Sequence, residues 1–255
     1  MKRALLGIAF AATAAFPAVT PAGAPVPSVE IEGTAFRLTL ADGRVLAGAA
    51  LAGHKLTIGD GEGRTLSLRI DAVASDPKDP EITLHAISVA DPAAPGGWRN
   101  LCDPDPAGQR WAFPLAKPGG GITLTCTSGA IGKCVRFGYK PWHAAASGVA
   151  MRDLFEACVH MVRADYCGDG VPHTRNGTTI DIYDRAGIQR DEPAPGLRFE
   201  AAWGPGGAIC VARTRIPALA TLDQLLERCP RLRTAANGAA CTESAPGAIL
   251  FNKSF

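Results

Sequence analysis

The stretch Val149-Ala150-Met151-Arg152-Asp153-Leu154-Phe155-Glu156-Ala157-Cys158-Val159-His160-Met161-Val162-Arg163-Ala164-Asp165-Tyr166-Cys167 decides how this chain is read. Apolar residues at Met151, Leu154, Phe155, Cys158, Val159 and Val162 recur at i, i+3, i+4, i+7, i+8 and i+11. That spacing predicts a helix over 149–163 with one buried face. Ser147 stands where an N-cap belongs, and Asp153 lies in the first turns, where the helix dipole favours a carboxylate. Arg152, Glu156, His160 and Arg163 share the polar face, so Cys158 points into the core.

On the N-terminal side of this helix the period changes from 3.6 to 2. Residues 35–40 alternate apolar and polar, and Asp42-Gly43 is a hairpin signal before Val45-Leu46. Residues 65–73 alternate through Leu66, Leu68 and Ile70, and 82–89 form another run; the loop Asp76-Pro77-Lys78-Asp79-Pro80 separates the two. On the C-terminal side, Asn176-Gly177 marks a turn before a strand over 178–183. Residues 197–203 and 208–213 predict two more strands joined by Gly204-Pro205-Gly206-Gly207. Thr221 caps a short helix over 222–228, which Pro230 ends. The fold class is therefore α+β: an antiparallel β subdomain over 25–97, then a disulfide-rich α+β domain over 98–255 built on one central helix.

All eight cysteines lie beyond residue 101: Cys102, Cys126, Cys134, Cys158, Cys167, Cys210, Cys229 and Cys241. Residues 1–24 read as a signal peptide: a Met1-Lys2-Arg3 start, an apolar run over 4–16 too short to span a bilayer, and the cleavage form Ala22-Gly23-Ala24. An even cysteine count behind an export signal predicts disulfides and a periplasmic or extracellular location. Eight cysteines allow 105 pairings, so spacing does not fix connectivity. Proximity in sequence suggests Cys126 with Cys134, Cys158 with Cys167, and Cys210 with Cys229, leaving Cys102 with Cys241. No cysteine sits at the cleavage region, so no lipid anchor is expected, and no later stretch is a membrane span. The formal charge of +2 is accounted for by Lys2 and Arg3, which leaves no excess of cations for nucleic acid.

The string Ala164-Asp165-Tyr166-Cys167 resembles the signature of the bacterial ADYC domain family. Neighbouring segments fit as well: Thr127-Ser128-Gly129-Ala130-Ile131-Gly132-Lys133-Cys134, Gly138-Tyr139-Lys140-Pro141-Trp142, His173-Thr174 and Gly177-Thr178. The resemblance covers about residues 98 to 250. It implies an exported, cysteine-rich protein, and it implies no particular reaction.

Three kinds of chemistry are compatible with the residues around the signature. Asp165, Asp169 and His173 are candidates for an acid–base group in a hydrolase. Cys167 with His173 has the composition of a nucleophile and base, which an oxidising compartment disfavours. Asp165, Asp169 and Asp181 are candidate oxygen ligands for calcium. An EF-hand is excluded, because Asp165, Asp169, Gly170 and Asn176 at positions 1, 5, 6 and 12 leave Cys167 at position 3 and no glutamate at the end. The structural alternative has Asp165 capping or pairing with Arg163, Tyr166 packing, Cys167 stapling the helix end, and Gly168 and Gly170 permitting the turn. Complete motifs are missing. Ser75-Asp76-Pro77-Lys78 has the S-x-x-K spacing, but Pro77 breaks the required helix. Gly132-Lys133 has Thr127 where a P-loop needs glycine. Asn176-Gly177-Thr178 and Asn252-Lys253-Ser254 are glycosylation sequons. The sequence implies no cofactor and no metal. It favours a structural or ligand-binding module over an enzyme.

Overall fold

Alternation predicts strands before residue 97, and antiparallel strands form there. The computed structural model describes residues 28–59, 65–105, 107–192 and 194–255. The signal-peptide reading of residues 1–24 lies outside them. β1 (Ser28–Glu32), β2 (Ala35–Thr39) and β3 (Val45–Ala47) form one sheet. Asp42 closes the β2–β3 turn by accepting from the Arg44 backbone N–H at 3.0 Å and from its side chain at 2.6 Å. A second sheet is built from β4 (Lys55–Gly59), β5 (Thr65–Ser75), β6 (Thr83–Ala90), β7 (Trp98–Asn100), β8 (Ala112–Ala116) and β9 (Ile122–Cys126). Its order is β4-β5-β6-β8-β9, with β7 also paired to β6. The 91–97 segment is the turn from β6 to β7, and the sheet continues past it through β8 and β9. Phe36, Leu38, Leu51, Leu68, Ile70 and Ile87 form the core between these two sheets.

Helix α1 (Ala130–Arg136) follows β9, a two-residue hairpin of β10 (Ala145–Ala146) and β11 (Val149–Ala150) comes next, and α2 (Met151–Arg163) carries the predicted period. The cap differs from expectation. The helix starts at Met151 after Ala150 with no side-chain cap, while Ser147 sits at φ 46° and donates its hydroxyl to the Ala186 carbonyl at 3.1 Å. The buried stripe is also rotated. Met151, Leu154, Ala157, Cys158 and Met161 are buried, and Phe155, Val159 and Val162 flank them, because the third sheet covers the 154/158/161 side.

That sheet contains β12 (Ile180–Asp184), β13 (Arg198–Gly204) and β14 (Gly207–Val211), then the chain forms α3 (Leu222–Arg228) and α4 (Pro230–Arg233) before β15 (Leu250–Ser254). Strand order is β12-β15-β13-β14, so the last strand is inserted between two earlier ones. Thr221 caps α3 in a capping box with Gln224, and Pro230 both ends α3 and opens α4. Trp203, Ala201, Ala208, Val211 and Leu250 pack on α2. A smaller cluster of Ile82, Leu84, Phe113, Leu115 and Val135 joins the second sheet to α1. Polar contacts reinforce that junction. Glu81 accepts from Lys140 at 2.5 Å, His143 at 2.6 Å and Trp142 at 2.8 Å, and the first two hold its carboxyl down to about 2.

All eight cysteines are bridged, in pairs other than those proximity suggests: Cys102 with Cys126, Cys134 with Cys158, Cys167 with Cys229, and Cys210 with Cys241. Each pairing is set by packing rather than by distance along the chain. Cys134 of α1 faces Cys158 on the buried side of α2, which removes both from the suggested pairs with Cys126 and Cys167. Cys167, carried round the end of α2, meets the C-terminal end of α3 at Cys229. Among the described residues, no helix is long and apolar enough to cross a membrane.

Candidate functional site

The signature begins at the end of α2. Ala164 takes a left-handed conformation, φ 49° and ψ 40°, and its N–H and that of Asp165 reach back to the helix carbonyls of Met161 and His160. This reverses the chain and places Asp165 beside the turn of helix it has just left. The Asp165 carboxylate is 1% exposed and accepts three hydrogen bonds. They come from the backbone N–H groups of Asp169 (3.1 Å) and Gly170 (2.9 Å) and from Nδ1 of His160 (2.9 Å). Its partner is thus neither Arg163 nor His173. Arg163 donates instead to the Gly170 carbonyl, and His160, on the polar face of α2, reaches Asp165 across the turn.

Tyr166 is fully buried against Trp203, ring centroids 5.4 Å apart and nearly parallel. Its hydroxyl donates to Glu200 Oε1 at 2.9 Å and accepts from the Arg215 backbone N–H at 2.8 Å. Burial, together with the Glu200 carboxylate, pushes the phenol well above its ordinary range, so it stays a neutral donor. Glu200 also takes both arms of the Arg215 guanidinium, at 2.9 and 3.0 Å, and the Asn252 amide at 2.8 Å; Asn252 in turn accepts from Trp203 Nε1 at 2.8 Å. The remaining Arg215 donors satisfy the last carbonyls of α2, Met161 at 2.8 Å and Val162 at 3.1 Å. A buried ion pair is retained at low cost only when every donor and acceptor is engaged, as here. The sequon at Asn252 is therefore a buried strand position and not a modification site.

The remaining candidates are spread out. Cys167 is bonded to Cys229 and presents no thiol. His173, 3% exposed, points Nδ1 at the Ala164 carbonyl (3.0 Å) and lies 5.9 Å from the Tyr166 ring. Asp169 is exposed and pairs with Arg228 at 3.5 Å. Asp181, on β12, lies beside Asp191 and the β15 residue Lys253; burial and the neighbouring Asp191 raise its carboxyl. Asp165, Asp169 and Asp181 do not converge, and the Asp165 oxygens already face N–H donors, the wrong polarity for a cation. Among the described residues, no three His, Cys, Asp or Glu side chains are grouped to hold a metal.

A cleft of about 510 Å³ opens beside the signature, between the start of α1, the last turn of α2 and the 172–180 segment. Its lining combines Phe137, Val162 and Ile180 with Ser128, Thr174 and Thr178. Arg215, whose guanidinium is fixed by Glu200, also lines it. Sequence reasoning missed the cleft, because it forms only where the start of α1 comes against the end of α2 and the 172–180 segment that follows it. It also missed the pairing of His160 with Asp165, for which the only local signal is a signature that follows the helix at once.

No curated protein and no solved structure matches the chain. The sequence model of the ADYC domain matches residues 48–217, from the short helical turn before β4 through the buried Arg215. That region starts earlier and ends earlier than the resemblance at 98 to 250, and it takes in both the second sheet and the signature. With two-thirds of its length matched, the chain belongs to the ADYC domain family.

Proposed function

We propose that this protein is an exported, disulfide-stabilised binding module of a bacterial cell, periplasmic or extracellular, that takes a small ligand in the cleft beside the signature. One observation carries this reading. The polar side chains of the signature are spent internally, on α2, Glu200 and Arg215, while the adjacent wall is open, rigidly backed and of a volume usual for small-molecule sites. Four bridges and no free cysteine support an oxidising compartment, as does the signal-like start. Screening small molecules by thermal shift tests the binding reading. Compounds that stabilise the wild type should not stabilise Thr179→Trp, which fills the cleft from its rim. Equal stabilisation of both proteins, or none by any compound, removes it.

A hydrolase is the second reading, and its acid–base group is His160 oriented by Asp165, the arrangement that fixes an imidazole for proton transfer. Among the described residues no hydroxyl or thiol side chain hydrogen-bonds His160, so binding is preferred. Turnover of an ester or phosphoester that His160→Gln abolishes, with the fold intact, reverses that preference.

A further inference from the structure

The charge around the cleft is one-sided. Lys133, Arg163, Arg175 and Arg215 line it, and no aspartate or glutamate does. Arg215 is neutralised from below by Glu200. The other three cations form no ion pair with any described residue.

The carboxylates around them are already committed elsewhere. Asp76 and Asp79 share a neighbouring hollow with Lys133, but Asp76 is held by Arg136 at 2.6 Å and Asp79 by Lys140 at 2.7 Å. On the other side of Arg163, Asp165 is saturated by His160 and two backbone N–H groups, and Asp169 pairs with Arg228. A protein with nearly balanced charge thus gathers three uncompensated cations at one concavity. Cations focused on a cleft with low-dielectric walls raise the local concentration of anions. Phe137, Val162 and Ile180 supply apolar surface within reach of the same cations.

We infer that the cleft takes a small, multiply charged oxyanion, carboxylate or phosphate, with a short apolar body, held between Lys133, Arg163 and Arg175. The inference rests on the ligand-cleft reading above and adds the chemical class of the ligand. Arg163 anchors one guanidinium nitrogen on the Gly170 carbonyl, which lies outside the cleft, and its remaining donors are free for the anion. Guanidinium groups pair with carboxylate and phosphate in two-point geometry, so the arginines supply orientation and Lys133 supplies charge.

The test is calorimetric titration of the oxidised protein with citrate, pyrophosphate and the neutral hexitol sorbitol, at constant ionic strength. The expected result is binding of citrate, pyrophosphate or both, weakened about tenfold by Lys133→Gln and by Arg175→Gln. Melting temperatures of both variants should be unchanged, since neither side chain pairs with any described residue. Whether citrate or pyrophosphate binds more tightly separates a carboxylate from a phosphate ligand. Anion binding that survives both substitutions overturns the assignment. If sorbitol binds, is blocked by Thr179→Trp, and the anions do not bind, the cleft remains a ligand site and its anion preference is wrong. If no probe binds and Thr179→Trp changes nothing in the broader small-molecule screen, both readings fall together.

Discussion

The phenol of Tyr166 donates to Oε1 of Glu200 at 2.9 Å, and the same oxygen of Tyr166 accepts from the backbone N–H of Arg215 at 2.8 Å. One hydroxyl therefore links the signature turn to β13 and to the residue that seals the carbonyl end of α2. Replacing Tyr166 with Phe leaves a buried N–H and a buried carboxylate oxygen each short of a partner. The expected loss is about 1–3 kcal/mol in chemical denaturation. Glu200→Ala strands the Arg215 guanidinium in the core and should cost more, about 3–5 kcal/mol. Equal costs for the two variants contradict the network as described.

Asp165→Asn tests the turn itself. The carboxylate accepts from three donors, and an amide presents an N–H group toward one of them. A loss of about 1–3 kcal/mol is expected, with ligand binding in the cleft retained at temperatures where the variant is folded. Loss of binding by a fully folded Asp165→Asn protein assigns Asp165 to the site instead of to the fold.

Gly168 is a turn position where close approach demands glycine. It sits at φ 71°, and a Cβ there would lie 2.1 Å from the Gly206 carbonyl oxygen in the β13–β14 turn. Gly168→Ala has to push two turns apart as well as strain its own backbone, so a loss of about 1–3 kcal/mol is expected in thermal or chemical melts. A neutral outcome means the two turns do not touch.

The helix, the β2–β3 hairpin, the β5 and β6 strands, the β13–β14 pair and the Thr221 cap were all legible, because each is written in local period or in turn and cap chemistry. β15 was not. Leu250, Phe251, Asn252 and Ser254 are buried on both faces, so no alternation marks it, and its central place depends on β12 and β13 arriving from elsewhere. β8 carries Pro114, which argues against a strand; it is tolerated because β8 meets β6 only through Ala112 opposite His85. α1 is too short and glycine-containing to show a period. For the site, the residue types of the signature were visible and their partners were not. His160 reaches Asp165 only because Ala164 turns left-handed, and Glu200, Arg215 and Asn252 are brought in by three different parts of the chain.

His85 gives the fold a pH dependence. It is fully buried, edge-on to Phe36 with centroids 5.1 Å apart, and burial lowers its pKa from 6.5 to about 4. The unfolded chain therefore takes up a proton before the folded one does. Stability from this residue is complete above pH 6.5 and is lost as pH falls toward 4, by roughly 3 kcal/mol in all. Denaturation at pH 7.5 and 4.5 should show a drop that His85→Leu largely removes. A drop of the same size in that variant places the pH sensitivity elsewhere.

The central claim is that the signature locks the fold, and the state of its cysteine tests it most directly. Tryptic mapping of the unreduced protein should yield peptide 164–175 linked to peptide 229–231, with no free thiol on any of the eight cysteines. A free thiol at Cys167, or its linkage to Cys158, contradicts the account, because the signature would then end in a reactive group or a local staple instead of a bond between α2 and α3.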